Sequence, residues 1–157
     1  PLSQRYWRAG PLSATSARPP ASPRWTMKSL VPRTAMKATP ARHGLAFEEV
    51  HLRAGDGARL AAWYVPGRAD GRQVLLLHGN AGNISHYLRT LVVLHELGHS
   101  VLAVDYRGYG ASTGQISEQG LVTDALTAYE VLIARGVPPE KIMPSSRSTY
   151  SLMSSER

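Results

Sequence analysis

The pattern of apolar residues along the middle of the chain predicts an ordered series of strands. Residues 47–52 and 60–65 are short runs rich in β-branched and aromatic residues. They flank residues 54–57, whose Asp-Gly pair is typical of a hairpin turn. The run Gln73–Leu77 is continuously aliphatic after its first residue, which favours a strand buried on both faces.

The next apolar residues switch to helical spacing and then back to a strand. Residues 84–97 predict an amphipathic helix that ends at Gly98, and residues 101–104 predict another buried strand. Ser117 is a suitable N-cap for a second helix, which ends before Gly136. A further strand is expected to start at Lys141. Strands that alternate with helices indicate an α/β fold with a parallel sheet and right-handed crossovers.

The positive charge of the chain is confined to one end. Residues 1–40 hold seven Lys and Arg and no acid, whereas residues 41–157 hold eleven residues of each sign. Residues 1–40 also hold seven of the eleven prolines. This stretch is therefore unsuited to a helix that reads a nucleic acid groove, and no nucleic acid partner is expected. We expect a disordered or non-native leader of weakly transit-peptide-like character, with the cytoplasm as the default compartment.

Other features exclude whole classes of site. The chain has no cysteine, which rules out disulfides, a thiolate nucleophile and thiolate metal ligands. No apolar run reaches the roughly 18 residues that a membrane helix needs, so no membrane span is expected in this chain. Six serines occur in residues 143–157 without periodicity. This predicts a tail unrelated to the fold and a domain that covers residues 41–142.

Two glycine-rich segments carry a resemblance to a known family. Residues 74–83 read Val-Leu-Leu-Leu-His-Gly-Asn-Ala-Gly-Asn, and residues 98–114 contain Asp-Tyr-Arg-Gly-Tyr-Gly-Ala-Ser, one helix later. With Asp124, these segments resemble the amino-terminal half of an α/β-hydrolase, most closely the serine esterase, lysophospholipase and peptidase-like branch. The resemblance covers about residues 38–142. It implies an incomplete α/β-hydrolase sheet made of the first strands and two helices.

The resemblance also implies a chemistry. Members of the family hydrolyse esters, thioesters or amides with Ser, Asp and His, in that chain order, and need no cofactor. The nucleophile would lie in a Gly-x-Ser-x-Gly turn after the strand that starts at Lys141, but residues 144–149 read Pro-Ser-Ser-Arg-Ser-Thr and no glycine follows Gly136. We therefore expect a chain that lacks the nucleophile and the catalytic Asp and His and is inactive alone. The full-length family takes a small-molecule acyl substrate.

One catalytic element of the family is matched residue by residue. The resemblance assigns the oxyanion loop to His78, Gly79, Asn80, Ala81, Gly82 and Asn83. Its backbone N–H groups would bind the negative oxygen of the tetrahedral intermediate, with Asn80 N–H as the first candidate and Ala81 N–H as the neighbouring one. The alternative is a strand-to-helix turn that serves only folding.

Two further motifs match catalytic patterns but stand in the wrong context. Residues 110–114 spell Gly-x-Ser-x-Gly, yet Ser112 lies eight residues beyond Val104 rather than on an immediate strand-to-helix turn. His95, Glu96 and His99 spell the His-Glu-x-x-His motif of zinc peptidases. Because Gly98 should end the helix, His99 is expected to leave the face that His95 occupies.

These patterns leave three functions open. The first is a piece of a serine hydrolase, and the second is a zinc peptidase that uses His95, Glu96 and His99. The third is a non-catalytic binding module whose basic leader contacts an acidic partner. For the loop residues Asp105 and Arg107 we predict a local ion pair that orders the loop, capped or braced by Asp124.

Overall fold

The computed structural model describes residues 35–79 and 82–145, which form one mixed sheet with a helix on each face. The sheet has the order β1-β2-β4-β3-β5. Its strands are β1 (Glu48–Arg53), β2 (Arg59–Val65), β3 (Gln73–Leu77), β4 (Ser100–Val104) and β5 (Ile142–Pro144). The helices are α1 (Leu88–Glu96) and α2 (Glu118–Ala134), with short 3₁₀ turns at Pro40–His43, Ile84–Tyr87 and Pro139–Lys141. The α/β fold predicted from the pattern is confirmed.

Strands β1 and β2 form the predicted hairpin. They pair antiparallel with Val50 opposite Ala62, and β2 pairs antiparallel with β4. In the connecting turn, Gly57 adopts a φ of +91° and donates its N–H to the carbonyl of Ala54 at 2.8 Å. A residue with a Cβ would be strained in that conformation.

The parallel part of the sheet is its buried centre. Strand β3 lies between β4 and β5, parallel to both, and all five of its residues are buried. Its side chains alternate between two cores. Val74 and Leu76 pack on the side of α1, and Leu75 and Leu77 pack on the side of α2. Burial on both faces explains why this strand has no polar alternation.

The helix ends follow the predicted signals closely. The segment expected to be helical from residue 84 starts as the 3₁₀ turn Ile84–Tyr87 and continues as α1, and Gly98 follows it with a φ of +88°. The hydroxyl of Ser117 accepts the N–H of Gly120 at 3.0 Å, as an N-cap does. Neither α1 nor α2, the α-helices of the described part, is long and apolar enough to cross a membrane.

Strand β5 extends the predicted third parallel strand into the Ser-rich segment. It starts at Ile142, pairs with Gln73–Leu75 and ends at Pro144. The next residue, Ser145, donates its N–H to Leu75 at 2.9 Å, and its hydroxyl accepts the N–H of Leu77 at 3.0 Å. Most of the predicted leader and tail, residues 1–34 and 146–157, lies outside the described residues.

Candidate active site

The carboxyl ends of three parallel strands meet at one edge of the sheet. The turn at residues 78–83 follows β3, Asp105 follows β4 and Ser145 follows β5. In open α/β sheets this edge is where ligands bind, because the loops there diverge and leave a crevice. The described residues of the predicted oxyanion loop, His78, Gly79, Gly82 and Asn83, therefore lie at the edge where a substrate would be expected.

The described residues of this turn are held from both sides. Gly79 donates its N–H to the hydroxyl of Tyr87 at 3.0 Å. The side chain of Asn83 is fully buried, and its Oδ1 accepts the N–H of Ser85 at 2.9 Å. Asn83 in turn donates its own N–H to Nδ1 of His86 at 3.1 Å, which completes a capping box. Asn80 and Ala81 lie outside the described residues, so their role as oxyanion donors stays a prediction.

His78 is buried in this edge as a neutral imidazole. Its Nδ1 lies 2.7 Å from the carbonyl of Gly79, and its Nε2 lies 3.2 Å from the N–H of Tyr106. These partners assign the proton to Nδ1, since Nε2 must accept. Burial lowers the pKa of His78, in agreement with the neutral form. The ring is also in edge contact with Tyr109, with centroids 4.9 Å apart.

Asp105 links the turn to the loop after β4. Its side chain is fully buried, and Oδ1 accepts the N–H of Ile84 at 2.8 Å and lies 3.5 Å from Nε2 of His78. Oδ2 has no hydrogen-bond partner among the described residues. Burial raises the pKa of Asp105 to about 6 from an ordinary 3.8. The predicted ion pair of Asp105 with Arg107 is wrong, because the carboxylate faces the turn instead.

Arg107 points the other way and braces the loop against two elements. Its Nε and Nη2 donate to Oδ1 of Asp124 on α2 at 3.0 and 2.8 Å. Its Nη1 donates to Asp56 in the β1–β2 turn at 2.5 Å. The hydrogen bond to Asp124 raises the pKa of Arg107, and the bond from Arg107 lowers that of Asp56. The predicted bracing by Asp124 is confirmed, with Asp56 as a partner that the sequence did not reveal.

The chain is similar in sequence and in fold to part of several known proteins. The α/β hydrolase domain-containing protein WAV2 of Arabidopsis thaliana is 40% identical over 100 residues, which make up 62% of this chain and 32% of that protein. Protein ABHD12B of Homo sapiens is 46% identical over 81 residues, or 49% of this chain and 22% of that protein. No protein-family profile matches the chain.

Solved structures agree with the sequence relatives. An esterase of Pyrococcus furiosus superimposes with a TM-score of 0.59 at 25% identity, over 72% of this chain and 47% of that chain. An α/β-hydrolase of Vibrio vulnificus does so with a TM-score of 0.58 at 31% identity, over 66% of this chain and 36% of that chain. The chain belongs to the α/β-hydrolase superfamily. It spans about a third or less of the two curated relatives described above.

Within this α/β-hydrolase chain, Ser112 is built into the scaffold. Its side chain is fully buried, and its hydroxyl donates to the carbonyl of Asp105 at 2.6 Å. The same oxygen accepts the N–H of Ala61 on β2 at 2.9 Å. The hydroxyl thus joins the loop to the sheet, which gives it a structural role.

The residues of the zinc motif lie apart from the hydrolase site and have separate partners. His95 is the penultimate residue of α1, and its Nδ1 donates to the carbonyl of Pro66 at 3.0 Å. His99 lies beyond the end of the helix at Glu96, and its Nδ1 accepts the N–H of Arg72 at 3.3 Å. Across residues 35–79 and 82–145, no three His, Cys, Asp or Glu side chains are grouped so that they could hold a metal ion.

Proposed function

We propose that this chain is part of a serine hydrolase, with esters as its first substrate class and thioesters or amides as further ones, and that residues 78–83 form its oxyanion loop. The observation that carries the proposal is the placement of this turn. It leaves β3 at the edge where β4 and β5 also end, and its flanking residues His78 and Asn83 are buried. The similarity to the esterase of Pyrococcus furiosus supports esters as the substrate class.

The chemistry requires N–H donors that are in place before the reaction. When a serine attacks an acyl carbon, the carbonyl oxygen becomes negative, and each preorganised donor is worth about 3 to 4 kcal/mol in the transition state. Gly79 already donates its N–H to Tyr87. The proposed donors are therefore the N–H groups of Asn80 and Ala81. Gly82, with a φ of +87°, allows the chain to turn back directly after them.

We also propose that the chain by itself does not catalyse hydrolysis. The resemblance places the nucleophile directly after β5, where the sequence has no Gly-x-Ser-x-Gly turn. Ser145 occupies the first position after β5, but its hydroxyl accepts the N–H of Leu77 within the sheet. The only match to the motif is at Ser112, whose hydroxyl is fully buried.

The coding DNA beyond the codon for Ile142 tests this proposal first. In one reading frame we expect Gly-x-Ser-x-Gly followed later by Asp and His, and the protein encoded by that frame should react with a fluorophosphonate probe and cleave p-nitrophenyl esters. If no frame continues in this way, the serine hydrolase proposal is wrong for this gene. If the 157-residue chain is labelled and its Ser112→Ala variant is not, the role assigned to Ser112 is wrong.

A matched pair of variants in the longer protein tests the oxyanion loop itself. Asn80→Pro removes the backbone N–H, and Asn80→Ala removes only the side chain. We expect kcat to fall by about 100- to 1000-fold in the first variant and to change little in the second. Equal losses in both variants would show that the side chain, and not the N–H, is what matters.

A further inference from the structure

We propose that Asp105 is the positioning residue for the turn at residues 78–83, and that it holds the carboxyl end of this turn in place through the N–H of Ile84. The inference rests on the proposed function of the turn as an oxyanion loop. An oxyanion donor is effective only if it is held close to its productive position. Some group in the protein must therefore fix the turn, and the geometry points to this carboxylate.

A single oxygen atom of Asp105 faces both ends of the turn. Oδ1 accepts the N–H of Ile84, the residue directly after the turn, at 2.8 Å. The same atom lies 3.5 Å from Nε2 of His78, the first residue of the turn. Nε2 of His78 carries no proton and accepts the N–H of Tyr106, so this approach is not a hydrogen bond. The bond from Ile84 is what holds the turn, and water does not compete for it because the side chain of Asp105 is fully buried.

The position of Asp105 is fixed from behind by the loop that follows β4. A Cβ placed on Gly110 would run into Oδ2 of Asp105. The hydroxyl of Ser112 accepts the N–H of Ala61 and donates to the carbonyl of Asp105, so the backbone of the aspartate is tied to β2. The carboxylate is therefore held between a rigid loop and the turn.

The remaining oxygen indicates that this arrangement has a cost in stability. Oδ2 is buried and makes no well-formed hydrogen bond among the described residues, although the backbone N–H of Ala111 favours the charged carboxyl, and a buried acceptor with poor partners is destabilising. Folded proteins contain few such groups, and those that remain call for an explanation. Here the explanation is the need to hold the turn, because an apolar side chain at position 105 would leave the N–H of Ile84 without its acceptor.

The surroundings of Asp105 make its charge sensitive to pH. The nearest titratable side chain to Asp105 is His78, directly after β3, and the titratable groups that surround His78 are His86 and Tyr87 from the 3₁₀ turn and Tyr106 and Tyr109 from the loop after β4. The nearby cation Arg107 directs its guanidinium to Asp124 and Asp56. Burial therefore dominates, and it raises the pKa of Asp105 to about 6. The hold on the turn should change with pH near this value.

Amide hydrogen exchange and NMR of the ¹⁵N-labelled 157-residue chain test the proposal without requiring catalysis. In Asp105→Ala we expect the exchange rates of the amides of Gly79, Asn83 and Ile84 to rise about tenfold or more, with the amides of β4 unchanged. Asp56→Asn is the control, because it alters a carboxylate that contacts Arg107 of the same loop but not the turn, and it should cost little stability. Equal rates in wild type and Asp105→Ala would overturn the proposal, as would equal effects of the two substitutions.

A titration keeps the test decisive if Asp105→Ala does not fold. In wild type the amide shifts of the turn should change with a midpoint near pH 6, and in Asp105→Asn this change should disappear. No change in wild type would contradict the proposal, and a change that persists in Asp105→Asn would belong to His78. Amide exchange and the titration do not depend on reaction with a fluorophosphonate probe. A negative result for the positioning role of Asp105 can therefore be told apart from a negative result for the proposed hydrolase function.

Discussion

Arg107 and Asp124 form a buried, two-pronged ion pair between the loop after β4 and helix α2. The guanidinium donates from Nε and Nη2, and the backbone N–H of Arg107 donates to Oδ2 of the same carboxylate at 2.8 Å. The Asp124 side chain is fully buried and that of Arg107 nearly so. The pair holds the base of the loop whose first residue, Asp105, accepts the N–H of Ile84 directly after the turn at residues 78–83.

Removal of one charge of this pair should be costly. Asp124→Asn leaves the buried guanidinium without its main counter-charge, and we expect the free energy of unfolding to fall by about 3 to 5 kcal/mol. Asp56→Asn removes the second partner of Arg107, whose side chain is 48% exposed, and should cost about 1 kcal/mol or less. Urea denaturation of both variants measures the difference. Similar losses would mean that the two carboxylates share the charge equally.

Two neighbouring hydroxyls should differ in their contribution to stability. Ser112→Ala leaves the N–H of Ala61 without its acceptor in a partly buried place, at a cost of about 1 to 3 kcal/mol. Thr113→Ala removes the acceptor of the Arg59 N–H, which water can replace because this contact is exposed, so the loss should stay below about 1 kcal/mol. Thermal unfolding of the two variants compares them. An equal shift in melting temperature would argue against the structural role of Ser112.

At Gly110, the lack of space for a side chain should affect the stability of an alanine variant more than the backbone φ does. Gly110 and Gly57 have φ values of +47° and +91°, so an alanine at either position carries backbone strain of about 1 to 2 kcal/mol. Only at Gly110 would the new Cβ collide with the carboxylate of Asp105, whereas Gly57 has open space. We expect Gly110→Ala to be less stable than Gly57→Ala by about 1 to 3 kcal/mol in urea denaturation. Equal stability of the two variants would show that the loop after β4 moves to accommodate the new Cβ without loss of stability.

The stability of the chain should depend on pH through two buried groups, Asp105 and His78, whose effects on stability change with pH in opposite directions. The folded-state pKa of Asp105 lies at about 6, above its ordinary 3.8, so ionisation is disfavoured on folding and stability is lost as pH rises through this window. Burial lowers the pKa of His78 below its ordinary 6.5, so its neutral form favours folding above that value, and this contribution is lost as pH falls.

A comparison with Asp105→Asn isolates the first of these effects. Between about pH 4 and pH 7, the stability of wild type relative to this variant should decrease by up to about 3 kcal/mol, since each pKa unit corresponds to about 1.4 kcal/mol. Urea denaturation across this range measures the difference, and His78 is present in both proteins. A constant difference would mean that the carboxyl titrates at its ordinary value.

The zinc motif should not bind metal. His95 and His99 bond to different backbone groups on either side of the helix end, at Pro66 and Arg72. We expect purified protein to contain no stoichiometric zinc and His95→Ala to leave its metal content unchanged. Metal analysis that finds one zinc per chain, lost in His95→Ala, would restore the peptidase hypothesis.

The elements that the sequence predicted well are those fixed by neighbouring residues. The Asp-Gly hairpin, the aliphatic strand β3, the Ser117 cap and the stop at Gly98 all depend on a few adjacent positions, and the structure has each of them. The His-Gly-Asn-x-Gly-Asn segment likewise marked the turn after β3, where Gly82 adopts a φ of +87° that favours glycine.

The contacts that the sequence did not predict join distant parts of the chain. Asp105 and Arg107 are close in sequence with opposite charges, yet Arg107 pairs with Asp56, which is 51 residues away and had no signal in the sequence. The hydrogen bond from the N–H of Gly79 to the hydroxyl of Tyr87 could not be predicted, because no motif in the sequence marks it. The Asn83 and His86 pair did have one, since their spacing is that of a capping box with histidine in the place of the usual Glu or Gln.

The hydroxyl of Ser145 has a consequence for how β5 finds its place along β3. A strand of three residues carries little information about its own alignment, and a slip by one residue would turn the buried Ile142 to the other face of the sheet. A slip in one direction would also bring Pro144 to the position now taken by Ser145, and proline can neither donate an N–H to Leu75 nor offer a hydroxyl to Leu77. The hydroxyl of Ser145 at the end of β5 thus fixes the register of the whole strand along β3.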